Sequence, residues 1–246
     1  MLEKLYKKSE VWFAVMLIVL YVIGNSILLQ TSKLIGIEMI YTIPFNMYLL
    51  AIMLLFIKKN NLFQYYGING VKCKPRAVLH YIPLIMISTV NIWFGICIKM
   101  DVLHSSVYFM AMILTGIVEE LIFRGFLFKA MSKDGLISAI ILTSLLFGMG
   151  HIVNLFNGNS NDLIATVCQL FYAVAIGFLL VSVLLVSRSI IPCMITHSLL
   201  NALSTFSNET ALNEVQIYIS IALCLISAVS AFLIFRNYRV EILKKK

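Results

Sequence analysis

The chain has 246 residues, 61% of them hydrophobic and only 12% charged, and its formal net charge is +8 at pH 7. In an ordinary soluble domain about half of the residues are apolar and about a quarter are charged, so this composition excludes that class and indicates an integral membrane protein. The basic residues flank apolar segments, where they face the anionic surface of a membrane. We therefore expect no nucleic-acid binding.

Apolar stretches long enough to cross a hydrocarbon core of about 30 Å as helices recur along the chain. The eight predicted spans, in chain order, cover residues 12–30, 38–57, 77–98, 104–128, 136–156, 163–187, 190–207 and 214–235. Without a long linker or an internal repeat, they predict an all-α, polytopic membrane protein with a single domain over residues 1–246. No small-residue cleavage site follows the first span, which favours a retained helix over a signal peptide.

The basic residues are distributed unevenly between the two ends of the predicted spans. With the N-terminus in the cytoplasm, 17 of the 19 lysines and arginines fall on the cytoplasmic side, and only Lys33 and Lys99 fall outside. Lysine and arginine near helix ends favour the cytoplasmic face of a membrane. The distribution therefore predicts an even number of spans, with both the N- and C-termini in the cytoplasm.

The sequence TGIVEELIFRGF, residues 115–126, places three charged side chains in the fourth predicted span. A charge near the bilayer centre costs at least ~2.5 to 3.5 kcal/mol, so such residues usually face the bundle interior and have a function. On a helix, Glu120 and Arg124 lie four residues apart and can pair, whereas Glu119 points about 100° away. Glu119 is then unpaired, as suits a general base, although an ordinary ion pair at a helix end explains this motif equally well.

Two further motifs add polar side chains to the fifth and seventh predicted spans. FGMGH ends in His151, and HSLLN carries His197 and Asn201 on one face of its helix. A single histidine in a membrane helix more often forms a packing hydrogen bond than a catalytic site. Six polar residues concentrated in three helices nevertheless indicate one shared site.

The depth of His151 in the bilayer is a test of that interpretation. In the predicted topology Glu119 and His197 lie in the cytoplasmic half of the membrane or near its middle. His151 lies about two thirds of the way along its span and is therefore deeper. A fifth helix that is shorter, tilted or broken near Gly148 and Gly150 is required to bring His151 level with Glu119.

These residue types suit the hydrolysis of an amide bond. A glutamate and a histidine can deprotonate a water molecule, while a second histidine and an asparagine amide can donate hydrogen bonds to an oxyanion. Glu119, His151 and His197 can also hold a divalent metal such as zinc, so metal-dependent and metal-free mechanisms both stay open.

Other protease chemistries fit the sequence less well. It contains no HExxH and no GxSxG motif, and its three aspartates lie near predicted helix ends. These features disfavour a zincin-like site, a serine nucleophile and an aspartyl dyad. Ser198, next to His197, keeps a serine mechanism formally open.

Three motifs together carry a family resemblance. EELIFR fits the pattern EExxxR, FGMGH fits FxxxH and HSLLN fits HxxxN, in that order on successive predicted membrane helices. The chain thereby resembles the CAAX-processing and bacteriocin-processing protease family, also called CPBP or Abi, which includes the type II CAAX prenyl endopeptidases. The matching catalytic core covers roughly residues 104–207.

The resemblance implies an eight-helix intramembrane endopeptidase and a role for each motif residue. It implies that Glu119 and His151 activate the water and that His197 and Asn201 stabilise the oxyanion. It further implies that Glu120 orients Glu119 and pairs with Arg124. Whether the family's chemistry uses a metal such as zinc stays open.

The resemblance leaves the substrate undefined. It is consistent with maturation of a peptide pheromone or bacteriocin, cleavage of a membrane-anchored regulator, or bacteriocin immunity. Short loops and the small size favour a multi-pass protein of a bacterial plasma membrane. We expect the partners to be the lipid bilayer and a membrane-associated peptide or protein that is cut near the cytoplasmic face.

Two hypotheses that assign the chain to other functional classes compete with the peptidase hypothesis. The first is a bacteriocin-immunity or sensory membrane protein that binds its partner without cutting it. The second is a small transporter in which Glu119 carries a proton, and the absence of a visible inverted repeat disfavours it.

Overall fold

The computed structural model describes residues 2–68, 70, 81–153 and 163–243, and in the last helix the side chains of residues 215–238. The predicted all-α class is confirmed over these residues. The α-helices in chain order are α1 Leu2–Lys8, α2 Glu10–Leu34, α3 Thr42–Lys59, α4 Ile82–Ser88, α5 Val102–Glu120, α6 Phe128–Met131, α7 Leu136–Gly150, α8 Leu163–Ser187, α9 Ile191–Leu203 and α10 Glu209–Leu243.

Five helical segments in the described part of the chain are long and apolar enough to cross a membrane. They are Glu10–Leu34, Thr42–Lys59, Val102–Met131, Leu163–Ser187 and Val215–Tyr238. The other three predicted spans coincide with shorter helices, namely α4, α7 and α9. The chain is therefore a multi-pass membrane protein, and the arrangement in eight spans stays a prediction.

Contacts between helix ends define two faces of the molecule. Lys59 Nζ lies 2.9 Å from Glu3 Oε1, and Lys133 Nζ donates a hydrogen bond to Glu10 Oε1 at 2.6 Å. The N-terminus, the end of α3 and the end of α6 therefore share one face, which we call the basic face because Lys59 and Lys133 lie on it.

The opposite face carries the other helix ends. The loop between α2 and α3 meets the start of α5 there, since His104 Nε2 lies 3.1 Å from Gly36 O. Lys33, in the last turn of α2, lies near Glu38 of this loop, with 4.0 Å between Nζ and Oε1. We call this the acidic-loop face because Glu38 and Asp101 lie on it.

The fourth predicted span is one continuous helical rod with a change of winding. A π-helical segment, Leu121–Leu127, joins α5 to α6, and the Phe128 N–H donates to Phe123 O, five residues earlier. Single π-helical turns inside α-helices often occur at functional sites. Here the segment begins directly after Glu120 and contains Arg124.

A cluster of aromatic rings fills the bundle between this π-helical segment and the basic face. Phe13, Phe56, Tyr66 and Phe126 are at most 7% exposed, and Phe126 lies 4.7 Å from Tyr66 and 5.4 Å from Phe13 between ring centroids. Tyr6 extends the cluster, with its ring centroid 5.0 Å from that of Phe56. We call these five rings the aromatic plug, because they occupy the interior on the basic side of the π-helical segment.

Helices α5 and α9 approach each other closely where the predicted site residues lie. A Cβ atom placed on Gly116 would meet the backbone nitrogen of Ser198 at 2.6 Å, and Ser198 Oγ donates to Ile113 O at 3.0 Å. Small residues at such crossings let two membrane helices touch through their backbones. This contact sets His197 of α9 beside Glu119 and Glu120 of α5.

Replacing Gly116 with alanine is expected to destabilise the protein by about 1–3 kcal/mol, because the added methyl group meets backbone atoms that cannot rotate away. The free energy of unfolding in detergent micelles is the measurement. Gly150→Ala is the matched control, since no described atom lies within 4 Å of its added Cβ. An equal effect of both substitutions would mean that helix propensity, not the α5–α9 contact, determines the outcome.

Candidate active site

Glu120, Arg124 and His197 form a buried hydrogen-bonded group. Arg124 Nη1 donates to Glu120 Oε1 at 2.8 Å, and His197 Nδ1 lies 2.9 Å from the same oxygen. A carboxylate only accepts hydrogen bonds, so the imidazole donates from Nδ1. The side chains of the three residues are 0%, 1% and 4% exposed, respectively. The predicted pairing of Glu120 with Arg124 is thus present, and it extends to His197.

The prediction that Glu119 is unpartnered is wrong. The Tyr21 hydroxyl of α2 donates to Glu119 Oε1 at 2.6 Å, and Glu119 Oε2 lies 3.5 Å from His197 Nε2. Its side chain is 17% exposed, unlike the fully buried Glu120. The two adjacent glutamates therefore differ in environment: Glu120 is tied to a cation, while Glu119 is held by neutral or titratable donors and reaches the cavity described below.

The Phe147 ring connects the three motifs. The Arg124 guanidinium carbon lies 3.9 Å above its centroid, within the range of a cation–π contact. The rings of His151 and His197 meet the same ring edge to face, with centroids 5.7 Å and 5.3 Å away. Phe147 was part of the motif FGMGH but not among the predicted site residues, and it acts as the packing surface against which both histidines are oriented.

Helix α7, in the fifth predicted span, is shorter than that span, and a shorter helix is one of the ways in which His151 can come level with Glu119. Helix α7 ends at Gly150, and the following turn is closed by the His151 N–H, which donates to Gly148 O at 3.1 Å. A Cβ on Gly148 would lie 2.3 Å from Val174 Cγ2, so glycine permits close packing of this helix end against α8. The shortening moves His151 to the wall of the cavity that Glu119 also lines.

A cavity of about 980 Å³ brings the predicted residues to one space. Glu119, His151, His197 and Asn201 all line it, as does Tyr21. A volume near 1,000 Å³ is at the upper end for pockets that hold small ligands. The structure thus groups four of the six predicted residues around open space, while Glu120 and Arg124 lie in the protein behind Glu119.

The donor set does not form a ready-made metal site. Over the described ranges no group of three or more His, Cys, Asp or Glu side chains is arranged to hold an ion. Glu119 Oε2 and His197 Nε2 are close, but His197 Nδ1 already binds Glu120. The predicted candidates Glu119, His151 and His197 line one cavity without forming such a cluster, so their arrangement does not fit a bound divalent metal.

Tyr21 is the functional candidate that the sequence did not single out. It is 9% exposed and lies near the middle of α2, far from the interfaces where tyrosine usually anchors a membrane helix. A buried tyrosine hydroxyl needs a hydrogen-bond partner. A tyrosine in the middle of a predicted span was therefore the sequence feature that could have indicated a polar contact there. The neighbouring Asn25 donates to Tyr21 O and exchanges two 3.1 Å hydrogen bonds with Asn46 of α3, which fixes this part of α2.

Replacing Tyr21 with phenylalanine is expected to lower the kcat of the peptide hydrolysis that the motifs predict by ~10- to 100-fold with little change in KM, because a hydrogen bond to a charged group contributes about 1.5–3 kcal/mol. Steady-state kinetics in proteoliposomes are the measurement. Tyr172→Phe is the matched control, since Tyr172 lines the same cavity from α8. A fall in stability with unchanged kcat would assign Tyr21 a purely structural role.

The fold and the site define a multi-pass membrane protein with a buried polar centre, and the comparison with known families gives its class. Residues 102–203 match the model of the family described as type II CAAX prenyl endopeptidase Rce1-like. The match covers 102 of the 246 residues and supports membership of the CAAX-processing and bacteriocin-processing family, which the motifs predict. This is a family of membrane endopeptidases, and the match therefore supports a protease. No curated protein and no solved structure matches the chain.

Proposed function

We propose that the protein is an intramembrane endopeptidase that hydrolyses a peptide bond in a membrane-associated peptide or protein. One observation carries the proposal: Glu119, held by Tyr21 and His197, faces a cavity that His151 and Asn201 also line. A carboxylate and a histidine on one cavity wall can together activate a water molecule by accepting its proton.

In the proposed reaction Glu119 accepts a proton from a water molecule that also hydrogen-bonds to His151. The water oxygen attacks the carbonyl carbon of the scissile bond and forms a tetrahedral intermediate with a negatively charged oxygen. The carbon–nitrogen bond then breaks, and the proton on Glu119 passes to the leaving amine. The products are a carboxylate and an amine, and no covalent enzyme intermediate forms.

His197 and Asn201 are the proposed donors to the oxyanion. His197 binds Glu120 through Nδ1, so Nε2 is the ring atom on the side of Glu119 and the cavity, and it donates to the oxyanion in the imidazolium form, in which both ring nitrogens carry a proton. Asn201 lies one helical turn after His197 on α9, on the same side of the helix. Preorganised donors of this kind stabilise the charge that develops in the transition state.

Glu120 and Arg124 are the proposed supports of this arrangement. Glu120 fixes the orientation of the His197 ring, and Arg124 neutralises Glu120 and stacks on Phe147. Neither lies on the cavity wall among the described residues. Their proposed effect on catalysis is therefore to hold other groups in place.

The topology follows from the same proposal. We propose eight membrane-spanning segments in one domain over residues 1–246, with both termini in the cytoplasm of a bacterial cell. The catalytic core covers about residues 104–207. The supporting observation is that the ends of α1, α3 and α6 share the basic face, as the charge distribution requires.

The biological context proposed for this activity is the maturation of a peptide pheromone or bacteriocin, or immunity to a bacteriocin. These roles share one chemical requirement, which is cleavage of a short peptide at a membrane. They are consistent with a single small membrane domain and do not depend on the presence of a metal such as zinc.

The experiment that tests the proposal compares purified wild-type protein with His151→Ala in proteoliposomes supplied with a mixed pool of membrane-associated peptides. We expect cleavage by the wild type and a loss of at least ~100-fold in the variant, because a positioned acid–base group contributes about 10²–10⁴-fold. Mass spectrometry of the products, with and without a chelator, is the measurement. Full cleavage by His151→Ala would refute the assignment of His151, and inactivation by the chelator would show metal dependence.

A further inference from the structure

Asn201, the second proposed donor to the oxyanion, depends on its backbone for its position. It lines the cavity, and in the part of the chain that the structure describes its side-chain amide forms no hydrogen bond. The N–H groups of that amide are thus available to a reacting carbonyl oxygen, but no described side chain fixes where they lie. A donor that stabilises a transition state must be preorganised, so the end of α9 has to be held in place.

The last turn of α9 is the part of the helix that carries Asn201. Helix α9 ends at Leu203, and a 3₁₀ turn, Ser204–Phe206, follows it. The Ser204 N–H and hydroxyl are both directed at Asn201 O, the hydroxyl at 2.6 Å. The carbonyl groups of a last helical turn take partners from outside the helix. Leu200 O, directly before Asn201, is one of these groups.

Asn91 provides a partner for Leu200 O from another part of the fold. Its Nδ2 donates to Leu200 O at 2.7 Å, across 109 residues of sequence. Leu200 O and the backbone nitrogen of Asn201 belong to the same planar peptide group, which moves as one unit. The hydrogen bond from Asn91 therefore fixes the peptide plane on which the position of the Asn201 side chain depends.

The segment that carries Asn91 is itself anchored. Asn91 lies in the short 3₁₀ turn Val90–Ile92, and the Val90 side chain is only 4% exposed. Further along the segment, the Cys97 N–H donates to Phe206 O at 2.9 Å. This second hydrogen bond joins the segment to the end of α9 and keeps the Asn91 donor in register with it.

We propose that Asn91 is a positioning residue for hydrolysis, which holds the last turn of α9 so that the Asn201 amide faces the oxyanion. Asn91 precedes residues 102–203, to which the family match is confined, and it belongs to none of the three motifs. The inference rests on the proposed peptidase function. It adds to that function a residue that acts through Asn201 and not on the substrate.

The first arm of the test measures cleavage kinetics in proteoliposomes. Asn91→Leu keeps the size of the side chain and removes the donor. We expect kcat to fall ~10-fold and KM to change by no more than about twofold, because a displaced Asn201 stabilises the transition state less well. This loss is smaller than the ~10²- to 10³-fold that follows removal of an oxyanion donor itself. Asn91→Ala should give the same loss, since it also lacks the donor.

A double-mutant cycle shows whether Asn91 acts through Asn201. In the Asn201→Ala background, Asn91→Leu should lower kcat by less than about twofold, because residues that act as a unit are not additive. Asn91 also lines the cavity, so a direct contact with the substrate is the alternative role. A further ~10-fold loss in the double variant would show that role and would overturn the inference.

Asn60→Leu is the matched control. Asn60 Nδ2 donates to Phe56 O at 2.9 Å, which is the same kind of hydrogen bond at the end of α3, on the basic face. The kcat of this variant should stay within about twofold of the wild-type value. A loss equal to that of Asn91→Leu would mean that any weakened helix end lowers the rate, and the specific role of Asn91 would be refuted.

Hydrogen exchange followed by mass spectrometry tests the structural step without peptide cleavage. Asn91→Leu should raise amide exchange at least ~10-fold over residues 201–207, because local opening governs exchange. Asn60→Leu should leave exchange in this region unchanged. Unchanged exchange in Asn91→Leu would overturn the inference whatever the kinetics.

The two arms separate failure of the inference from failure of the proposed function. If the exchange pattern holds and the wild type cleaves no peptide, the proposed function fails together with the catalytic role of Asn91, and only its hold on α9 stands. If the wild type cleaves peptides and Asn91→Leu keeps full kcat, the peptidase stands and the positioning role of Asn91 is refuted.

Discussion

Replacing Glu119 with glutamine is expected to reduce kcat/KM for peptide cleavage by ~10²- to 10⁴-fold, because an amide cannot accept the proton of the attacking water. Glutamine keeps the size of the side chain and an oxygen that can accept the hydrogen bond from Tyr21. The variant should therefore fold and insert normally. Initial rates of product formation in proteoliposomes are the measurement, with the melting temperature recorded in parallel.

Glu38→Gln is the matched control for that substitution. Glu38 lines the same cavity, but at its outer end and 45% exposed, so the same loss of a carboxylate should change the rate by no more than about twofold. Full activity of Glu119→Gln would remove the general-base assignment. An equal loss in both variants would show that charge along the cavity, and not the base, governs the rate.

The spacing of the motif EExxxR predicted the pairing of Glu120 with Arg124. The structure added a contact between side chains that are far apart in the sequence. Glu120 and Arg124 pair as a four-residue helical separation requires, even though Arg124 lies in a π-helical segment. Glu119 was expected to be free because its partners are not on its own helix. Tyr21 is 98 residues away in the chain, and local periodicity carries no information about such a contact.

The depth of His151 could not be predicted from the sequence, and the reason is physical. The apolar stretch continues past His151, so hydropathy alone extends the fifth helix to residue 156. The structure ends it at Gly150, where a turn follows and the helix end packs against α8 through Gly148. Hydropathy reports the environment of a segment, whereas helix termination depends on backbone hydrogen bonds and on packing.

The filling of the interior on the basic side of the site could not be predicted from the sequence either. The charge distribution predicts which helix ends face the cytoplasm, but it does not say on which side of Glu119 the interior is filled. That depends on where the rings of Phe13, Phe56 and Phe126 meet, and these residues come from α2, α3 and the π-helical segment, so that no local sequence pattern joins them. Their packing together closes the basic side of the site.

Replacing Arg124 with methionine is expected to destabilise the protein by about 3–5 kcal/mol, because it leaves the Glu120 carboxylate buried without a cation. Both side chains are almost fully buried, and Arg124 also loses its contact with the Phe147 ring. The free energy of unfolding in mixed micelles is the measurement. Lys129→Met, a partly exposed cation one turn later, should cost less than about 1 kcal/mol.

The double variant Glu120→Gln with Arg124→Met separates the ion pair from the packing around it. Without a buried unpaired charge, the double variant is expected to be more stable than Arg124→Met alone, so the two substitutions are not additive. Its activity should nevertheless stay low, because the glutamine at position 120 no longer offers His197 a charged acceptor and the ring is less firmly oriented. Additive losses in stability would show that Glu120 and Arg124 do not act as a pair, and wild-type activity in the double variant would show that the orientation of His197 does not depend on them.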